Sequence, residues 1–185
     1  PTNTYLKAST YPTIQLPLPL IKKQLLVLDL NGTLISRIKR PNGGFYLRPH
    51  HSTFFDYIFS NFVVMIWSSA QKHSVEAMCK VIDYPLQLVW DRSHFGLSTA
   101  EFYSKIDTIK DLDKVWEVLP EFNAANTIVL DDTPFKLVKQ PYNLIKVSTF
   151  QHGDKCDHEL FHVIDYLKTI QLQSNVTNFV KNNPY

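Results

Sequence analysis

Leu25-Leu26-Val27-Leu28-Asp29-Leu30-Asn31-Gly32-Thr33 is an unbroken apolar run of strand length that stops at an aspartate and passes into a turn. Apolar residues on both faces of so short a run indicate a strand covered on both sides, as in a parallel sheet between helices. The pattern recurs at Phe62-Val63-Val64-Met65-Ile66-Trp67, which runs into Ser68-Ser69, and at Thr127-Ile128-Val129-Leu130, which runs into Asp131-Asp132. Leu144, Ile145 and Val147 predict a fourth strand. Helical spacing lies between and beyond these runs. It appears at Phe54, Phe55, Ile58 and Phe59 after Pro49, at Val75, Met78, Cys79 and Ile82, at Leu112, Val115, Trp116 and Leu119, and at Leu160, Val163, Ile164, Leu167 and Ile170. Strands alternating with amphipathic helices predict an α/β fold, a parallel central sheet with helices on both faces. Gly43-Gly44 and the stretch from Tyr84 to Ser98 read as turns or a small hairpin, and Val176, Phe179 and Val180 as one more short turn.

The 185 residues, 44% of them apolar, suffice for one core. The domain is expected over 21–185, preceded by an N-terminal arm over 1–20 in which Pro17 and Pro19 hold Gln15 to Leu20 extended. A net charge of +2 with 19% charged residues is neither a basic stripe nor a disordered tail, so nucleic acid is not an expected partner. Cys79 and Cys156 cannot build a disulfide framework, and an intracellular setting (nucleus, cytoplasm or mitochondrion alike) is expected. No apolar run approaches the roughly 20 residues of a membrane span. The chain begins at Pro1, and a trimmed N-terminus that has lost any targeting segment is expected.

The polar strand ends carry the chemistry. In an open parallel sheet the carboxyl ends of the strands share one edge, where ligands bind. Asp29 with Asn31 and Thr33, Ser68 with Ser69, and Asp131 with Asp132 are therefore expected to converge. Carboxylates and a backbone carbonyl suit a hard cation such as Mg²⁺, while hydroxyl groups and a lysine suit phosphate oxygens.

Leu28-Asp29-Leu30-Asn31-Gly32-Thr33-Leu34 resembles the first motif, DxDx(T/V), of the haloacid dehalogenase superfamily. More narrowly it resembles the branch of the RNA polymerase II C-terminal-domain phosphatases and their small NLI-interacting-factor-like relatives. Leu47-Arg48-Pro49 resembles that branch's LRPG, with His50 in place of Gly. Trp67-Ser68-Ser69-Ala70 falls at the second motif, Lys110-Asp111-Leu112 at the third, and Leu130-Asp131-Asp132-Thr133-Pro134 at the fourth. The ordered set covers roughly Lys22 to Phe179 and implies a Rossmann-like domain without a large cap. It implies Mg²⁺-dependent hydrolysis of phosphomonoesters, foremost phosphoserine or phosphothreonine in a protein or peptide. Asp29 would take the phosphoryl group as an aspartyl-phosphate. Its carboxylate, the backbone carbonyl of Asn31 and Asp132 would hold the metal, with Asp131 beside them. Ser68, Ser69 and Lys110 would hold phosphate oxygens, Lys110 would also neutralise Asp29, and Thr33 would brace the loop. Arg48 is expected to be structural.

Asn31 departs from the family pattern. Active members carry Asp there, which protonates the leaving alcohol and later deprotonates the hydrolytic water. An amide cannot give up and regain a proton at neutral pH. Metal and phosphate binding are expected to survive and turnover to be weak or absent. A natural variant with altered activity, a natural non-catalytic member and a substitution that traps substrate all fit this residue. The branch also contains a phosphatase-like receptor subunit of the mitochondrial inner-membrane import machinery, so the alternative is a non-catalytic protein-binding module. The short segment from Ile35 to Tyr46 leaves little room for a large insertion between the first strand and the Arg48-Pro49 turn.

His158-Glu159-Leu160-Phe161-His162 matches HExxH, the zinc-protease pattern, with His152 and Cys156 upstream. No His or Glu follows His162 as a third ligand, and core-spaced apolar residues run through the segment, so it reads as a packed helix. His50 and His51 read as turn and helix-start residues. Cys79 reads as an inert packed thiol, and Trp67, Trp90 and Trp116 as core.

Overall fold

The computed structural model describes residues 1–38, 44–154 and 156–185. A five-stranded parallel sheet is built from β1 (Leu25–Leu28), β4 (Val63–Trp67), β5 (Val89–Trp90), β6 (Thr127–Asp131) and β7 (Leu144–Lys146), in the order β5-β4-β1-β6-β7. Between β1 and β4 lie β2 (Ile35–Arg37) and β3 (Phe45–Leu47), which pair antiparallel as a separate hairpin. The helices are α1 (Asn3–Ala8), α2 (His51–Asn61), α3 (Lys72–Cys79), α4 (Thr99–Tyr103), α5 (Leu112–Val118), α6 (Glu159–Ile170) and α7 (Val176–Asn182). The result is the doubly wound arrangement expected from the alternation of strands and helices, and the hairpin is not the size of a cap. Among the described residues no helix is long and apolar enough to cross a membrane.

Strand periodicity splits the core into two layers. Leu25 and Val27 join Met65, Trp67, Val129 and, from α5, Leu112 and Val115 on one face. Leu26 and Leu28 join Val64, Ile66, Ile128 and Leu130 on the other, against α2, α3, α6 and α7. Each fully buried aliphatic side chain contributes roughly 1.5–3 kcal/mol, which explains why β1 and β4 are wholly apolar and why β6 carries before Asp131 only Thr127, whose hydroxyl accepts the Trp116 Nε1–H at 3.0 Å. Trp67 and Trp90 are buried and Trp116 half-buried, as core residues. Cys79 is half-buried, and burial pushes its thiol up to about 11, the behaviour of an inert packed cysteine.

Three segments differ from the sequence reading. Part of Tyr84 to Ser98 is not turn but strand: β5 adds to the sheet edge beside β4 through only two pairs, Ile66 with Val89 and Trp67 with Trp90. So short a strand leaves no readable periodicity. The Val176 segment is a full helix, begun where Asn175 accepts the Asn178 N–H. Residues 1–20 are not uniformly extended, since α1 starts at a Thr2 cap and a 3₁₀ turn occupies Leu18–Leu20. Tyr5 anchors this segment from a buried position, its hydroxyl accepting the Tyr142 N–H at 2.9 Å. The Gly43 half of the Gly43-Gly44 turn lies outside the described residues, while Gly44 sits at φ 118° just before β3.

Arg48 is wholly buried and ties the β1 loop to the start of α6. Its Nε donates to both carboxylate oxygens of Asp157 at 3.0 and 2.9 Å. Its Nη1 donates to the carbonyls of Thr33 and Ser148, and its Nη2 to the Ser148 hydroxyl. Removing one partner of a buried pair strands the other charge, so Arg48→Ala is expected to cost about 3–5 kcal/mol in urea unfolding. A cost below about 1 kcal/mol would contradict this structural role. Next to it, His50 holds a left-handed φ of 64°, the conformation that glycine adopts freely, and its ring packs 4.1 Å from that of Phe161.

Candidate active site

β1 lies at the point where the sheet is wound in both directions, with β4 on one side and β6 on the other. The crevice beyond their carboxyl ends is where such sheets bind ligands. Asp29 leaves β1 with its N–H donated to the Leu130 carbonyl at 3.0 Å. Ser68 leaves β4 with its N–H on the Trp90 carbonyl at 2.9 Å, and Asp131 is the last residue of β6. After Asp29 the chain turns tightly, the Leu34 and Ile35 N–H groups both donating to the Leu30 carbonyl. Gly32 makes this possible with φ 87°.

Four charged side chains interlock at the strand ends. Lys110 Nζ lies 2.9 Å from Asp29 Oδ1 and 2.6 Å from Asp131 Oδ2. Lys136 Nζ lies 3.3 Å from the same Asp29 oxygen and 3.1 Å from Asp131 Oδ1. Lys110 precedes α5, and its N–H donates to the Lys136 carbonyl at 2.7 Å, so the backbone fixes the two lysines side by side. Burial drives the Asp29 carboxyl above its ordinary value, and Asp131 pushes the same way against the pull of Lys110 and Lys136. Asp131 is desolvated as well, yet Lys110 and Lys136, with the Thr133 N–H at 2.9 Å, bring it below its ordinary value. Desolvation works against the charge on Lys136, but Asp29 and Asp131 outweigh it and raise the lysine.

A pocket of about 220 Å³ opens over this cluster, lined by Asp29, Asn31, Arg37, Ser68, Ser69, Ala70 and Lys136. Ser68 Oγ accepts the Ala70 N–H at 3.2 Å, while Ser69 Oγ is 2.7 Å from Thr108 Oγ1 and so bonds the second strand end to the segment leading into Lys110. Thr33 is buried beneath Asp29, with Oγ1 3.5 Å from Asp29 Oδ2. One oxygen each of Asp29, Asp131 and Asp132 lie within 4.8 Å of one another, the single group of this kind among the described residues. The oxygen-only donor set suits a hard divalent cation. HExxH makes no comparable group. Glu159 accepts the Ser148 N–H at 3.1 Å, and the His158 ring stacks 5.2 Å from that of His50.

The strand-end residues Asp29, Asn31, Ser68, Ser69, Asp131 and Asp132 thus meet at one edge. Lys110 reaches the carboxylates from below and Thr33 braces from within. Lys136 and Arg37 were not legible in the sequence. Lys136 returns to the site through a 3₁₀ turn over Pro134–Leu137, for which Pro134 after the acidic strand end is the local signal. Arg37 arrives on the hairpin, where no pattern marks it.

Residues 24–177 match the family model described as NLI interacting factor-like phosphatase. An uncharacterized FCP1 homology domain-containing protein of Schizosaccharomyces pombe is 35% identical, with 88% of this chain and 78% of that protein covered. The human ubiquitin-like domain-containing CTD phosphatase 1 is 29% identical over 80% of this chain, which spans 50% of that relative's length. Among solved structures, the fission yeast RNA polymerase II CTD phosphatase Fcp1 bound to beryllium fluoride superposes with a TM-score of 0.58 at 15% identity, over 83% of this chain and 54% of that one. That likeness establishes the shared fold.

Proposed function

Because the chain belongs to the NLI interacting factor-like phosphatase family, we propose that it is a Mg²⁺-dependent phosphomonoester hydrolase acting through Asp29, with phosphoserine or phosphothreonine in a protein as its substrate class. The observation that carries this reading is the position of Asp29: a buried carboxylate at the floor of the pocket, held 2.9 Å from one ammonium and 3.3 Å from another. Its Oδ1 bears both lysines, while Oδ2 meets, among the described residues, only the Thr33 hydroxyl and would be the attacking oxygen. The carboxylate would displace the alcohol from phosphorus and become an aspartyl-phosphate, which water would then hydrolyse. Ser68 would orient phosphate oxygens, and the lysines would balance their charge.

Asp29, Asp132 and the Asn31 carbonyl would hold Mg²⁺, with Asp131 beside them. Bound there, the ion offsets the repulsion between carboxylate and phosphate. Gly32 matters for that group: a Cβ on it would lie 3.0 Å from Asp132 Cγ and closer still to Oδ2, at a φ that alanine resists. Gly32→Ala is therefore expected to cost about 1–3 kcal/mol in a thermal melt and to weaken Mg²⁺ binding measured by calorimetry. Unchanged values for both would contradict the placement of Asp132.

An open site without a cap suits a peptide segment of a protein. The CTD phosphatase relatives support that substrate class. Asn31 favours a second reading, a phosphatase-like module that binds phosphoprotein without turning it over. Phosphate release from an aryl phosphate and from a phosphoserine peptide, with and without Mg²⁺, tests the proposal. Mg²⁺-dependent release from the aryl ester supports hydrolysis. Phosphopeptide binding with no release from either compound would favour the binding module.

A further inference from the structure

We propose that Arg37 selects substrate by a second negative charge: it pairs with a carboxylate or phosphate one or two residues away from the phosphoserine or phosphothreonine that enters the Asp29 pocket. The inference rests on the phosphatase reading and adds to it a preference among phosphopeptides.

Arg37 borders two recesses. One is the pocket of about 220 Å³ over Asp29. The other, of about 250 Å³, lies between the β2–β3 hairpin and α3 and is lined by Phe45, Ser74, Ala77 and Met78 among others. The guanidinium therefore stands on the boundary between the reacting group and whatever lies beside it. An extended peptide advances about 3.3 Å per residue, so a chain leading out past Arg37 brings the first or second neighbour of the phosphorylated residue level with it.

Charge sets what that neighbour should be. Lys110 and Lys136 are both engaged with Asp29 and Asp131. Arg37 is exposed and takes part in no ion pair among the described residues. Nor does an acidic side chain line the second recess among those residues. The sequence from Ile35 to Leu47 carries Arg37, Lys39 and Arg40 and no acidic residue, so its fixed charge favours an anion. A guanidinium meets a carboxylate or a phosphate through two parallel hydrogen bonds. The backbone that carries it is held in place. Arg37 is in register with Phe45 in the hairpin, Ser36 Oγ accepts the His152 N–H at 3.0 Å, and the Tyr46 ring stacks on that of His152. The arm is fixed while its donors are unspent.

The test is fluorescence anisotropy of labelled phosphoserine peptides in Mg²⁺, with the unaltered chain, Arg37→Gln and Arg37→Lys, beside calorimetry of inorganic phosphate. The peptides carry neutral flanks, an adjacent aspartate, an adjacent second phosphoserine, or an aspartate placed well beyond the second neighbour. The unaltered chain is expected to bind the peptides with an adjacent charge roughly tenfold tighter than the neutral one, the lower range for a hydrogen bond to a charged group. The distant aspartate should bring no such gain. Arg37→Gln should erase the gain while changing affinity for the neutral peptide and for inorganic phosphate by less than about twofold. Arg37→Lys, which keeps the charge without the fork, should recover only part of it. A gain with the second phosphoserine alone would identify phosphate as the group that is read, and a gain with both would identify negative charge in general. An unaltered chain that does not distinguish the peptides overturns the proposal. So does an Arg37→Gln variant that loses as much affinity for inorganic phosphate as for the doubly charged peptides, which would place Arg37 on the reacting phosphoryl group. The phosphatase reading stands in both cases. Absence of binding to every phosphopeptide and to phosphate, together with no aryl phosphate hydrolysis, removes both proposals.

Discussion

Asn31→Asp is expected to raise turnover of a phosphoserine peptide by roughly 10²–10⁴, the usual worth of general acid–base assistance. The same change should move the Mg²⁺-dependent burst of phenolate release from an aryl phosphate, which reports phosphorylation of Asp29, by less than about tenfold, since a phenolate departs with little protonation. Asn31 is exposed, lines the pocket beside Asp29, and stands on the turn fixed by Gly32 and the Leu30 carbonyl. A carboxyl introduced there meets solvent and needs no rearrangement of the core. It also adds a negative charge to the group formed by Asp29, Asp131 and Asp132, so the variant should depend more steeply on Mg²⁺. A gain in that burst as large as the gain on the peptide would mean that position 31 acts through metal affinity and not through proton transfer. No gain on the peptide would mean that it reaches the site wrongly or that another donor already serves.

Asp29→Ala carries the other large effect. Aryl phosphate hydrolysis is expected to fall by on the order of 10⁴ or more, because no other carboxylate can take the phosphoryl group without losing its own role. Stability should not follow activity. A carboxyl whose folded-state value is raised contributes stability below its ordinary range and loses it as pH rises, so at neutral pH ionised Asp29 is a cost to the metal-free fold. Lys110 and Lys136 keep Asp131 as partner after the change. Asp29→Asn, which preserves shape, should therefore melt in EDTA at or above the temperature of the unaltered chain at pH 7, while being as inactive as Asp29→Ala. A pronounced drop in melting temperature for Asp29→Asn would place Asp29 among the structural ion pairs, with Arg48 and Asp157.

These expectations rest on features of unequal visibility in the sequence. β1, β4 and β6 announce themselves because a strand covered on both faces is apolar through its middle, so Asp29, Ser68 and Asp131 mark both the strand ends and the site. Lys110 was recovered through the order of the family motifs, since nothing in its own surroundings distinguishes it from a helix-start lysine. β5 was lost because two paired residues generate no period. Lys136 and Arg37 reach the pocket by a 3₁₀ turn and a hairpin whose geometry is set by the sheet they pack on, not by their neighbours in sequence. The short helices at the two ends of the chain are likewise held by tertiary anchors such as Tyr5 on Tyr142.

The claim at the centre of the account is that Asp29 takes up phosphate covalently, and trapping that intermediate tests it most directly. The chain would be mixed with an aryl phosphate and Mg²⁺, quenched in acid, and examined by intact mass and peptide mapping. With Asn31 unable to deprotonate the hydrolytic water, breakdown should lag formation. One phosphoryl group should accumulate on the peptide containing Asp29, decay faster in Asn31→Asp, and never appear in Asp29→Ala. Phosphate release without any trapped phosphoryl group in either form, or a phosphoryl group that persists in Asp29→Ala, would contradict the account.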